Sequence, residues 1–96
     1  MIVKQTNSFK RKVKKLNKTE KLALDEAVKS VMNDPSIGEM KIGDLAGVQV
    51  YKYKLKAQLY LLAYMYDGEL ILTFIEYGTH ENFYRDLKSK PNVTKH

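Results

Sequence analysis

Three consecutive segments in the second half of the chain are strand-like, and in the first of them hydrophobic and polar residues alternate with a period of two. The segments are residues 49–55, 59–66 and 70–77, and they are rich in Tyr, Leu and Ile. This period is typical of β-strands. Lys56-Ala57 separates the first two segments, and Asp67-Gly68 marks the next break. Because Asp and Gly both tolerate the positive φ angles of a type I′ turn, the pattern predicts an antiparallel meander.

A different spacing, with apolar residues three or four positions apart, predicts two helices before the meander. The first begins at a cap among Thr6, Asn7 and Ser8, and its apolar stripe is Phe9, Val13 and Leu16. The second begins at a capping box formed by Asn17 and Glu20 and ends before Pro35. Because almost nothing joins the two helices, we expect an antiparallel helical hairpin.

The remaining segments complete an α+β fold. Residues 1–3 are β-prone and predict an edge strand, residues 35–47 with three glycines predict a loop, and residues 81–90 are compatible with a short C-terminal helix. We expect residues 92–96 to be a loose tail. The predicted order is β-α-α-β-β-β-α: one domain over residues 1–96, with an N-terminal helical hairpin packed on a small antiparallel meander.

The two faces of the predicted sheet differ in what they can bury. On the first meander strand, Lys52, Lys54 and Lys56 point away from the tyrosines, and burying three ammonium groups is prohibitively costly. The helices should therefore cover the tyrosine side. The second strand is apolar on both sides, so periodicity does not select its buried face. The side with Leu59, Leu61 and Met65 is either an exposed protein-binding patch or is covered by the C-terminal helix.

Composition narrows the classes of function. The chain has 96 residues, no cysteine and a formal charge of +6, and residues 1–21 carry eight Lys or Arg against one acid. There is no disulfide framework or thiolate site, no membrane-spanning run and no signal peptide, so we expect a cytoplasmic protein. The basic segment suggests a polyanion or an acidic protein as partner, and a solvated helix face is the alternative. No Asp, Glu and His residues have metal-binding spacing, and no cofactor is expected.

Three motifs in this order resemble the RelE/ParE superfamily of bacterial type II toxins. They are Leu45-Ala46-Gly47 before the sheet, the segment 51–55 (YKYKL), and Gly78-Thr79-His80 followed by Tyr84. The resemblance spans nearly the whole chain. RelE-type members cut messenger RNA, mostly inside the ribosome, whereas ParE-type members share the fold but poison DNA gyrase. A Gly-Thr-His motif with an aromatic residue four positions later is typical of the YafQ-like branch.

The resemblance implies roles for specific residues. Lys52 and Lys54 match the strand lysines of the nucleases, His80 matches a proton-transfer histidine, and Tyr84 is placed to stack on an unpaired base. Arg85, Lys56 and the helix residues Lys10, Arg11 and Lys14 are candidate RNA contacts. An arginine expected in the second meander strand is replaced by Leu61, which weakens the nuclease interpretation. Without the resemblance, alternating lysines on an exposed strand also serve as protection against aggregation, and Tyr84 is equally compatible with the core.

The resemblance implies a metal-free endoribonuclease toxin that acts on messenger RNA at the ribosome. The alternatives are a ParE-like gyrase inhibitor and a non-catalytic RNA- or protein-binding module. A toxin of this kind implies a cognate antitoxin, which we expect to be acidic. It would cover either the apolar surface around Leu59, Leu61 and Met65 or the basic helices.

Overall fold

A five-stranded mixed sheet with two helices forms the part of the molecule described by the computed structural model, which is residues 1–79 and Phe83. The strands are β1 (Ile2–Gln5), β2 (Glu39–Met40), β3 (Gln49–Leu55), β4 (Gln58–Tyr66) and β5 (Ile71–Thr79), and the helices are α1 (Asn7–Lys14) and α2 (Lys18–Asn33). The strand order is β1-β5-β4-β3-β2. The α+β class and the meander are confirmed. His80, the tail and all of the predicted C-terminal helix except Phe83 lie outside the described residues.

The first helix begins at Thr6, one of its three candidate caps, and the second begins at the predicted Asn17. The Thr6 hydroxyl accepts from the Phe9 N–H at 3.1 Å and donates to the Ile75 carbonyl at 2.8 Å, so one side chain starts α1 and ties it to β5. At α2, the side chains of Asn17 and Glu20 each accept from the other residue's backbone N–H, which is the predicted capping box. Among the described residues, no helix is long and apolar enough to cross a membrane.

The edge strand β1 pairs in parallel with β5, from Ile2 opposite Ile71 to Gln5 opposite Phe74. The other neighbouring strands are antiparallel. The chain then leaves β1 directly into α1, which lies beside the part of β5 that β1 does not reach. This arrangement places α1 at the C-terminal end of β5.

The Asp67-Gly68 connection differs from the predicted type I′ turn. Gly68 has a positive φ of 86°, but among the described non-glycine residues the positive φ belongs to Lys56, at 57°. The carboxylate of Asp67 instead accepts from three successive backbone N–H groups, those of Glu69, Leu70 and Ile71. Because one side chain holds three donors, the connection widens and β5 begins at Ile71.

The predicted loop 35–47 contains a short strand that the sequence did not indicate. β2 pairs with the start of β3, and a 3-10 turn lies on each side of it, at Pro35–Ile37 and Gly43–Leu45. The hydroxyl of Tyr64 donates to the Pro35 carbonyl at 2.6 Å and accepts from the Gly38 N–H at 2.9 Å. Burial is the main cause that raises the pKa of Tyr64. This buried tyrosine therefore anchors the loop to β4.

Two hydrophobic clusters lie on opposite faces of the sheet. The helix-side cluster joins the two helices to β4 and β5, and includes Phe9, Leu24, Leu62, Tyr64 and Phe74. Tyr51 and Tyr53 pack against it, so the helices cover the tyrosine side as predicted.

The second cluster lies on the lysine side of the sheet. It contains Leu45, Val48, Val50, Leu61, Ala63, Ile75 and Phe83. Leu61 is fully buried, so the interpretation of an exposed patch including Leu61 is wrong. The physical reason is that Phe83, from the predicted C-terminal helix, and Leu45 cover this face. Leu59 is half-buried, and Met65 remains exposed at the other end of β4.

Candidate nucleic-acid interface

Lys52 and Lys54 lie exposed on the face of the sheet opposite the helices. Their neighbours across β4 are Leu61 and Leu59, respectively. Because strand residues rise about 3.3 Å each, the two lysines project from the same face about 7 Å apart along β3. The second hydrophobic cluster includes Leu61, opposite Lys52, and continues to Val50 on β3. The middle of this sheet face is therefore apolar and covered by Leu45 and Phe83, whereas the end that carries Lys52 and Lys54 is cationic and exposed.

Gly78 continues the row of Lys52 and Leu61 onto β5, since Leu61 pairs with both residues. A methyl group placed on Gly78 would lie 3.9 Å from the ammonium nitrogen of Lys12 and 4.0 Å from the Cα of Phe83. The row therefore carries a cation on β3, at Lys52, and ends near a second cation supplied by α1, at Lys12. Because Gly78 has no side chain, nothing projects from the β5 position of this row, next to Lys12.

Lys12 is held in this position by β5. Its ammonium group donates to the Tyr77 carbonyl at 3.1 Å and pairs with the Glu76 carboxylate at 3.0 Å. The Glu76 side chain is fully buried, and the Lys12 side chain is 34% exposed. A buried carboxylate is costly unless it is paired and hydrogen-bonded, and its Oε1 also accepts from the Tyr77 N–H. The ion pair therefore fixes α1 against β5.

Tyr77 links the same elements on the helix side. Its hydroxyl donates to the Lys12 carbonyl at 3.1 Å. Burial first, and then the nearby carboxylates of Glu20 and Glu76, raise the pKa of Tyr77 to about 12. The phenol is therefore neutral at physiological pH and acts as a structural donor.

The other predicted site residues divide into two groups. Lys56, Lys10, Arg11 and Lys14 are exposed, Lys56 at the β3–β4 turn and the others on α1. The described contacts bring Lys12, rather than these three helix residues, to the row of Lys52. His80, Tyr84 and Arg85 lie outside the described residues. Within residues 1–79 and Phe83, no three His, Cys, Asp or Glu side chains cluster as metal ligands.

Sequence reasoning missed Lys12 and Glu76, although each carried a signal. Glu76 is a lone acid in an otherwise apolar strand, and a charge at such a position requires a partner. Lys12 directly precedes Val13 on the helix and so flanks the buried stripe, where a lysine can bury its methylene groups and extend its ammonium group. Together these signals point to an ion pair between the first helix and the last strand.

The chain matches the model of a known protein family over residues 3–88, described as the ParE-like toxin of type II bacterial toxin-antitoxin systems. No curated protein sequence matches it significantly. Among solved structures, a double arginine-to-alanine mutant of the E. coli toxin RelE in the free state has a TM-score of 0.66 at 22% identity, covering 90% of this chain and 92% of that one. RelE in the intact E. coli RelBE toxin-antitoxin complex has a TM-score of 0.62 at 23% identity, covering 80% and 93%.

The structural likeness is one of fold, and the family match covers most of the chain. Together they confirm the resemblance to the RelE/ParE superfamily that the strand and Gly-Thr-His motifs indicated. The chain belongs to the ParE-like toxins of type II bacterial toxin-antitoxin systems.

Proposed function

We propose that this toxin is a metal-free endoribonuclease that cuts messenger RNA, with the ribosome presenting the strand. The observation that carries the proposal is the exposed pair Lys52 and Lys54 on the face opposite the helices, where two ammonium groups can hold successive phosphates of one strand. Lys12 lies at the end of the same row, but its ammonium group is paired with Glu76, so Lys52 and Lys54 carry the positive charge of this surface. The sheet face is buried elsewhere, but this end is exposed and basic, so it can bind a polyanion such as RNA.

The reaction would use the RNA's own 2′-hydroxyl. A base removes its proton, the 2′-oxygen bonds to the adjacent phosphorus, and the bond from phosphorus to the 5′-oxygen breaks as an acid protonates that leaving group. We assign proton transfer to His80, because histidine titrates near neutrality and the Gly-Thr-His motif places it directly after β5. Lys52 and Lys54 would stabilise charge on the phosphoryl oxygens. Tyr84 would stack on a base, and Arg85 would contact a phosphate.

Gyrase inhibition is the second candidate, and a specific observation favours it. Leu61 stands where RelE-type nucleases are expected to carry an arginine, and it is fully buried beneath Phe83. One phosphate-binding cation is therefore missing from the row of Lys52. The family description is also that of ParE-like toxins.

We infer in addition that an acidic antitoxin neutralises the chain. RelE has been solved as a complex with the antitoxin RelB, at 23% identity to this chain. Here the support is the cluster of exposed cations on α1, Lys10, Arg11 and Lys14, against which acidic side chains would find opposite potential. Reversing these three residues to Glu should abolish capture of the protein encoded by the neighbouring reading frame. Unchanged capture would show that the antitoxin docks elsewhere.

The nuclease proposal is tested by expressing the chain and mapping cuts in cellular messenger RNA by primer extension. We expect cuts that disappear in His80→Ala and fall at least tenfold in the double variant Lys52→Ala/Lys54→Ala. The matched control is Lys29→Ala, which removes an exposed lysine of α2 away from the sheet. Growth arrest with intact messenger RNA and accumulated broken DNA would instead establish the gyrase inhibitor.

A further inference from the structure

A small groove lies at the tip of the β3–β4 hairpin, on the helix side of the sheet. Its volume is about 230 Å³, and it is lined by Asn17, Thr19, Glu20, Leu55, Lys56, Gln58 and Tyr60. Pockets for drug-sized ligands start at about 300 Å³, so this groove suits a smaller group. Its lining is mainly polar, with one aromatic wall.

The aromatic wall is supported by a second tyrosine. Tyr60 stacks on Tyr53 with ring centroids 5.6 Å apart and an interplanar angle of 19°. Glu20 lies close to this pair, since its carboxylate contributes, after burial and neighbouring tyrosines, to the raised pKa of Tyr53. A fixed ring beside hydrogen-bonding groups is how proteins hold unstacked bases of single-stranded RNA.

Lys56 connects this groove to the lysine face. It follows Lys52 and Lys54 at the same two-residue interval and occupies the turn between β3 and β4. Its φ of 57° is left-handed, a conformation that costs a side-chain-bearing residue about 1–2 kcal/mol and that glycine adopts freely. A strained lysine at the rim of a groove is a reason to look for a role of its ammonium group.

Glu20 supplies an acidic side chain to the lining of the groove. Its Oε1 accepts from the Asn17 N–H at 3.0 Å, which holds the side chain in place. An ionised carboxylate only accepts hydrogen bonds, so it favours a base edge that presents an amino group. Cytosine carries a donating amino group at the position where uracil carries an accepting carbonyl.

We propose that the groove binds one unpaired nucleobase of the RNA strand whose phosphates follow Lys52, Lys54 and Lys56, and that it selects cytosine over uracil. The inference rests on the proposed function and deepens it, because it adds a base-reading site separate from the cleavage residues. The strand would pass over the hairpin tip, from the lysine face to the helix face. Lys56 would contact the phosphate at that crossing, and Glu20 would accept from the base.

Two substitutions separate this role from a structural one. Glu20→Gln keeps the capping box, since either residue can accept from the N-cap backbone, but it replaces a pure acceptor by an amide that also donates. Lys56→Gly removes the ammonium group and at the same time relieves the left-handed backbone. A purely structural lysine or capping residue would leave RNA affinity and base preference unchanged in these variants.

The experiment measures binding of fluorescent oligocytidine and oligouridine to the full chain by anisotropy, in a His80→Ala background that keeps the RNA intact. We expect the chain to bind oligocytidine about five- to tenfold more tightly, within the range of one good contact between a side chain and a base. Glu20→Gln should reduce this ratio to about one. Lys56→Gly should weaken both oligonucleotides several-fold without lowering the urea midpoint, and Lys29→Ala is the control for one lost charge.

The outcomes distinguish this inference from the function on which it rests. If Lys52→Ala/Lys54→Ala weakens both oligonucleotides but Glu20→Gln leaves the cytidine-to-uridine ratio unchanged, the groove does not read the base and the nuclease proposal stands. Lys56→Gly binding as tightly as the parent would overturn the proposed path over the hairpin tip. If the lysine pair has no effect on RNA binding, both proposals fail.

Discussion

The contact between Gly38 and Tyr64 makes a sharp prediction about stability. The backbone of Gly38 is extended, with φ −78° and ψ 151°, a conformation that any residue adopts. A methyl group at Gly38 would nevertheless lie 2.5 Å from the Tyr64 hydroxyl oxygen and 2.9 Å from two ring carbons. Tyr64 is fully buried, so its ring has little room to retreat. The cost of Gly38→Ala is therefore steric rather than conformational.

The magnitudes follow from this geometry. Overpacking costs about 1–3 kcal/mol, and the loss of glycine's freedom in the unfolded chain returns about 0.4–1 kcal/mol, so Gly38→Ala should destabilise by up to about 2.6 kcal/mol, with a middle value of about 1.3 kcal/mol. Tyr64→Phe deprives the buried Gly38 N–H of its acceptor, which costs about 1–3 kcal/mol. In this variant the Pro35 carbonyl oxygen still accepts a hydrogen bond from the Gln49 Nε2, which lies 2.9 Å away.

The double variant tests whether the hydroxyl carries the clash. Removing it deletes the 2.5 Å contact and leaves those at 2.9 Å, so the two losses should be less than additive by about 0.5–1.5 kcal/mol. Free energies of unfolding from urea titrations of the full chain provide the assay, with Tyr66→Phe as a control expected to stay within about 0.5 kcal/mol. Strict additivity, or a Gly38→Ala variant more stable than the parent, would refute the reasoning.

Two further predictions concern pH. The pKa of Tyr77 is raised from 10.0 to about 12, so the folded state holds this proton more tightly and the free energy of unfolding should fall as pH rises between these values. The Tyr77→Phe variant should therefore show a smaller decrease in its urea midpoint over this alkaline range. A decrease identical to that of the parent would contradict the assignment. The pKa of Asp67 is lowered, chiefly by the Glu69 N–H and then by those of Ile71 and Leu70, so its contribution is present above pH 3.8 and lost as the carboxylate is protonated. Asp67→Asn should be less stable at neutral pH and less sensitive to acid, and thermal melts between pH 2 and 6 measure both.

Much of the fold could be predicted because local chemistry and tertiary packing agree. The strand Gln49–Leu55 was predicted with its observed bounds, since its lysines and tyrosines have unambiguous environments. The cap at Asn17 was predicted, and Thr6 was one of three candidates for the first cap, because their side chains can satisfy free N–H groups. The sidedness of Lys52 followed from the cost of burying its ammonium group.

The remaining features depend on contacts distant in sequence. β4 is apolar on both sides, and its two faces are distinguished by what covers them, the helices over Leu62 and Phe83 over Leu61. Glu39–Met40 is too short for a period to be seen. At Asp67-Gly68 the predicted antiparallel connection is confirmed, but the type I′ turn is wrong, because the Asp67 carboxylate accepts from three successive backbone N–H groups in a wider connection.

The same reason limits what the sequence revealed of the candidate interface. Lys52 and Lys54 were predicted as surface residues from their own strand, and they are exposed. The approach of Lys12 depends on β5, 65 positions away in the case of its bond to Tyr77. The grouping of Lys56 with Glu20 and Tyr60 likewise depends on where the hairpin tip meets the start of α2.

The parallel pairing of β1 with β5 has a consequence for the time course of synthesis. Thr6, at the end of β1, bonds to Ile75, 69 positions later in the chain. At about 5–20 residues per second, the ribosome needs about 3–14 s after it has added Thr6 to reach Ile75. For that interval the basic N-terminal segment has no sheet edge to pair with and Lys12 has no Glu76. A newly made chain therefore cannot complete its sheet, or the ion pair that holds α1 against β5, until the last strand has been synthesised.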